Sequence, residues 1–170
     1  MRGRTARVAV AVVVQLLLVG VALWVPLSAR LGGEEVLLRV ELADTYEPFD
    51  DAYVDLSYPD LPEEHFPEGE VSEEEMDRID AELGVAFVPL TRDGDVWVGG
   101  DVVRTPPSDG PFLRCDDTRW ELRCGIETAY LSSGSENDGV RDALRSGDAV
   151  ATVRVDANGN AALVGVSAGS

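Results

Sequence analysis

The groups with which this chain of 170 residues can do chemistry are 32 carboxylates, 14 arginines, one histidine and two cysteines, with no lysine among them. Without lysine a Ser-Lys dyad is excluded, and a Ser-His-Asp triad has only His65 to build on. His65 lies in a Pro- and Glu-rich stretch, residues 59–69, where an exposed loop position is expected and no nucleophile elbow accompanies it. One histidine and two cysteines, the latter expected to be oxidised, are too few ligands for a transition metal. Carboxylates abound, so pairs suited to glycoside hydrolysis are always available, and an envelope hydrolase using carboxylates is the alternative function. Calcium is the ion such residues suit best. Asp156-Ala157-Asn158-Gly159-Asn160 opens like a calcium loop, yet its twelfth position is Ser167 where a bidentate Glu belongs. A hairpin turn is the expected structure there, and no cofactor is expected.

All the acids lie at or beyond Glu34, together with ten of the arginines, so this part of the chain carries a formal charge of −22. Such a charge repels phosphate backbones, which excludes nucleic acid as a partner. Its simplest role is a solvated surface.

Ahead of the acids, residues 8–29 form a run of 22 without a charged side chain, in which Gln15 is the one strongly polar member. As a helix the run spans about 33 Å, the thickness of a bilayer's hydrocarbon core. Its eight valines and five leucines contribute on the order of −5 kcal/mol to insertion. Arg2, Arg4 and Arg7 hold the N-terminus in the cytoplasm, and Trp24 falls at the outer headgroup level. A cleaved secretory signal is the competing reading, but the run is long for one and Leu27 is a poor substitute for the small residue expected two positions before Ala29. The expected organisation is a cytoplasmic start (residues 1–7), a transmembrane helix in the lipid bilayer (8–29), a linker (30–35), an extracytoplasmic domain (36–166) and a tail (167–170).

Within that domain, strands are expected at residues 34–42 and 53–58, where a period of two places Val54, Leu56 and Tyr58 on one face. Ser72 and Glu75 have capping-box spacing, and Met76, Ile79 and Leu83 follow at helical intervals up to Gly84. Further strands are expected at 85–90 and 96–104 around the Asp93-Gly94 turn, at 112–115 paired with 120–131, and at 149–155 and 161–166, with a short helix near 140–145. The fold class is therefore α+β or mainly β: an antiparallel sheet or small barrel with one or two helices. Cys115 and Cys124 fall on opposed strands in an oxidising compartment, which predicts a disulfide; the spacing is far from that of a Cys-x-x-Cys redox pair.

Tyr53, Leu56 and Tyr58 are spaced as in the signature of the GDYXXLXY-motif family of bacterial membrane-anchored proteins, which the chain resembles, although Asp51-Ala52 stands where the family has Gly-Asp. Gly125-Ile126-Glu127, followed by Tyr130 and Gly134, is similar to the family's second segment, and the hairpin near Asp156 is similar to its closing turn. The resemblance implies no catalytic residue. It implies a multi-pass membrane protein as the expected partner. Glu127, the one acid in the second segment, is expected to make a structural ion pair with Arg123 or Arg114. Tyr53, Tyr58 and Tyr130 are expected to pack in the core or to line a ligand groove.

The function expected is that of a membrane-anchored extracytoplasmic binding or accessory domain in the cell membrane. Protease added outside intact cells is expected to digest the acidic domain and to spare an N-terminal tag. A secreted form beginning near Arg30 would show the apolar run to be a cleaved signal instead.

Overall fold

Every second residue from Val36 to Val40 is apolar, and an extended chain turns such residues to one face. In the computed structural model, which describes residues 12–20, 28–43, 53–62, 72–119, 121–131 and 138–169, Val36, Leu38 and Val40 are at most 1% exposed and form the middle of the core. Residues 12–20 and 28–32 are helical. After them the described elements are β1 (Glu34–Leu42), β2 (Tyr53–Ser57), α1 (Glu73–Glu82), β3 (Val85–Asp93), β4 (Val96–Gly99), β5 (Phe112–Asp116), β6 (Thr128–Tyr130), α2 (Asp138–Ser146), β7 (Ala149–Val155) and β8 (Ala161–Ala168). The fold is mainly β.

Five strands make an antiparallel sheet in the order β6-β2-β1-β7-β8, and three make a second, β4-β3-β5. The longest ladder joins β1 to β7, from Glu34 opposite Val155 to Val40 opposite Ala149. Ala149, Ala151, Val153 and Val155 bring their buried face to that of β1, and Ala143 and Leu144 of α2 cover one end. Between β7 and β8 the register shifts: Thr152 faces Gly165 and Val153 faces Leu163, so Val164 is the extra residue of a bulge. Bulges sharpen twist. The sheet curls into a nearly closed barrel whose edges, β6 and β8, approach within 8 Å between Cα atoms.

The smaller sheet closes over the same core through Val88, Leu90, Leu113 and Cys115. It is tied down by the turn after β7. Gly159 has φ +79° and its carbonyl accepts the Arg114 N–H at 2.8 Å. A Cβ there would lie 2.5 Å from the Phe112 ring, so only glycine fits. Asp156 closes this turn by accepting from Asn158 N, Asn160 N and Asn160 Nδ2 at 2.8–3.0 Å. Those bonds outweigh the cost of desolvation and hold its carboxyl below the usual range.

Several elements differ from the sequence reading. Ser72 is the N-cap of α1, but its hydroxyl makes no capping bond, and Met76 N–H bonds the Ser72 carbonyl instead. The strand expected at 96–104 ends at Gly99. Pro89 has no N–H to offer the ladder, and Val103 returns to β3 only as a single bridge to Phe87. Residues 120–131 do not form one strand against β5. Beyond the Asp116–Arg123 bridge the chain turns at Gly125, φ +80°, and β6 joins β2 in the other sheet. The expected linker 30–35 is not free chain: Ala29 is fully buried, Ser28 Oγ donates to Asp156 at 2.8 Å, Arg154 donates to the Arg30 carbonyl, and β1 begins at Glu34. Residues 167 and 168, expected in a tail, are the end of β8. No helix among the described residues is long and apolar enough to cross a membrane. Residues 8–11 and 21–27 of the apolar run lie outside the described residues, as do Asp51, Ala52 and His65.

Asp117 is the buried carboxylate of the smaller sheet's end, 3% exposed. Burial alone would raise its pKa, but bonds from Arg104 (2.8 Å between Nη2 and Oδ2) and from Gly84 N–H (2.7 Å) outweigh this and lower it. A carboxyl lowered on folding contributes stability above its unfolded value, near 3.9, and loses it as pH falls through the folded value. In urea melts from pH 7 to pH 2, Asp117→Asn is expected to be less stable than the parent by about 1–3 kcal/mol at neutral pH. The gap should narrow below about pH 4.

Candidate functional site

The two segments singled out in the sequence, 75 residues apart in places, meet side by side. Tyr53 faces Tyr130, Val54 faces Ala129 and Asp55 faces Thr128 across the β2–β6 ladder. Past the end of the ladder, Leu56 N–H donates to the Glu127 carbonyl at 2.7 Å. The Tyr58 hydroxyl, in the core, donates to the Ile126 carbonyl, also at 2.7 Å. Val54, Leu56 and Tyr58 are buried, as their spacing predicts, and Ile126 is 1% exposed beside them. Burial, followed by the nearby Glu127 charge, pushes the Tyr58 phenol well above its usual pKa, so it stays a donor.

Gly125, with φ +80°, lets the chain fold back so that the Glu127 carboxylate accepts N–H bonds from Cys124 and, at 3.0 Å, from Gly125. Glu127 is thus a backbone clamp and not the ion-pair partner expected. Arg123 instead forks onto Glu121 at 2.8–2.9 Å. Cys115 and Cys124 are disulfide-bonded. They neighbour the Asp116–Arg123 bridge, whose two N–H···O bonds of 2.8 and 2.9 Å make it a hydrogen-bonded pair. The next pair along is then the closely spaced kind, which suits a Cα separation of 4.0 Å.

With so many of the singled-out residues engaged in structure, the outer face of β2–β6 is what remains available. Tyr53 and Tyr130 are 67% and 63% exposed and meet edge to face at 5.3 Å between ring centroids. Asp55 accepts from Thr128 Oγ1 at 3.3 Å in the next row. Two depressions flank this strip. The smaller, about 270 Å³, is lined by Leu56, Tyr58, Leu61, Leu122, Glu121 and Glu127 among others. Its two carboxylates are already engaged by Arg123 and by backbone N–H groups. The larger, about 440 Å³, runs between β6 and β8 and includes Tyr53, Arg30 and Gly125.

The sequence model described as GDYXXLXY protein matches residues 15–166. The chain belongs to the GDYXXLXY family. Comparisons with curated proteins and with solved structures return no match. In this GDYXXLXY protein, the buried leucine and final tyrosine of the signature hold the second segment, while its first tyrosine faces outward. Sequence reasoning missed Asp55 and Thr128, although period-two alternation from Tyr53 and Tyr130 puts them on the same outer face. It also missed the role of Val164, for which no local signal exists. The sequence reading also passed over Gly165-Val166-Ser167-Ala168-Gly169, which has nucleophile-elbow spacing, but Ser167 is extended in β8 opposite Val150 and is not on a strand-to-helix turn, so it forms no elbow. Among the described residues no group of three or more His, Cys, Asp or Glu is placed to hold a metal ion.

Leu56→Ala is expected to leave a cavity and cost about 2–5 kcal/mol. Tyr58→Phe, which orphans the Ile126 carbonyl, should cost about 1–3 kcal/mol. Tyr53→Ala should cost less than either. Thermal melts of the three variants beside the parent test this order.

Proposed function

We propose that this GDYXXLXY protein is a membrane-anchored extracytoplasmic accessory domain that binds another membrane protein through the outer face of β2–β6. The observation that carries the reading is the Tyr53–Tyr130 pair, two large aromatic side chains left about two-thirds exposed. Exposed aromatic clusters contribute little to folding and are the commonest anchors of protein interfaces. The apolar run of 22 residues and its arginine flank support the anchor. The start of the domain supports a fixed posture: Ser28 and Ala29, at the end of that run, are held by Asp156 and by burial. In this reading the domain stands close to its anchor, with the turn at residues 156–160 and Arg30 toward the bilayer. A partner that shares the membrane is then always within reach.

Detergent extracts of the native membrane, purified through a tagged full-length chain, are expected to contain a stoichiometric integral membrane protein. Replacing Tyr53 and Tyr130 together with Ala should lower its recovery at least tenfold, while the disulfide and the melting temperature stay near those of the parent. Unchanged recovery would remove the outer face from the interface.

A further inference from the structure

Every neighbouring pair in the five-stranded sheet is antiparallel, so β1, β6 and β8 run one way and β2 and β7 the other. The two edges therefore run in the same direction. They approach within 8 Å between Cα atoms, yet no ladder joins them. Direct closure would require a parallel ladder on a three-residue strand. One extended segment running opposite to both edges would instead pair antiparallel on each side, completing a six-stranded barrel of alternating direction.

The seam has the features of a receptor for such a segment. Among the described residues, both edges present backbone N–H and C=O groups that no strand pairs. Residues 161–166 line it over about 20 Å, the length of five or six extended residues. At its β8 rim the bulge turns Val164 outward, 54% exposed; on the other side stand Tyr130 of β6 and its neighbour Tyr53 of β2. In a domain of charge −22, no carboxylate is found among the described lining residues, and Arg30 is their one charged side chain. An uncharged centre fits that lining. The field of the whole domain repels an acidic segment and draws a basic one.

We propose that the β6–β8 seam receives one extended segment of a partner protein, uncharged over about five residues and flanked by basic ones, as a sixth strand antiparallel to both edges. This rests on the accessory-domain reading and specifies its binding mode. A central strand needs its neighbours about 10 Å apart, so the edges must part. The Glu127 end of β6 is pinned by Tyr58, the clamp and the disulfide. Arg30 places the seam's opening beside the anchor, within reach of a membrane partner's extracytoplasmic loop.

The test uses full-length protein in detergent and the fluorescent probe peptide Arg-Arg-Thr-Val-Thr-Val-Thr-Arg-Arg. Anisotropy should report binding, weakened at least tenfold when every second central amide is N-methylated, when the flanking arginines become glutamates, or in Val164→Lys. Bound probe should slow amide hydrogen exchange at residues 128–131 and 161–166. Equal binding of the N-methylated probe, protection elsewhere, or no binding of any probe would overturn the proposal. So would a homodimer that Val164→Lys dissociates, since the occupant would then be a second copy. If the probe fails while partner recovery still depends on Tyr53 and Tyr130, the accessory reading stands and strand insertion falls. If the probe binds as described while recovery ignores both tyrosines, the seam stands and the outer-face interface falls.

Discussion

An antiparallel sheet of five strands ends on two strands that run the same way, and this constraint governs the rest of the molecule. Curling the sheet buries the inner faces of β1 and β7 and brings β6 near β8. It cannot let them close as an antiparallel pair. The domain therefore has a hydrophobic interior like a barrel's and a seam that a true barrel lacks. The smaller sheet and α2 cover other parts of the core and leave the seam between β6 and β8 as a groove.

A three-residue edge strand such as β6 has little to hold it in place, since its own ladder is short. What fixes it lies just upstream. The disulfide to Cys115, the Glu127 carboxylate on two backbone N–H groups, and the Tyr58 hydroxyl on the Ile126 carbonyl all act within residues 124–127. The Tyr58 bond also satisfies a carbonyl that burial would otherwise leave unpaired. The family signature is thus mainly a device for holding one strand against another. Its first tyrosine is free of that task because alternation turns it to the opposite face.

Much of the fold was legible in the chain. β1 and β7 have the bounds that alternation predicts, and the Asp156–Asn160 turn was readable from its composition. The second half of residues 120–131 was not, because a run of strand-forming residues does not say which sheet it will join. Gly125 hid the change of partner, being a residue that suits a turn as well as a bulge. The role of Glu127 was hidden too: a carboxylate near arginines reads as an ion pair, whereas its own backbone, folded back by Gly125, was nearer than either guanidinium.

By itself the sequence determined the inner face of β2, the pairing of its only two cysteines, and an uncharged apolar run near the N-terminus. These follow from local period, from elimination and from composition, none of which needs a partner strand. Tertiary structure alone decided that β6 lies against β2, that Tyr53 meets Tyr130, and that Val164 bulges from β8. Those depend on register between segments far apart in the chain, and register is set by how two faces pack together.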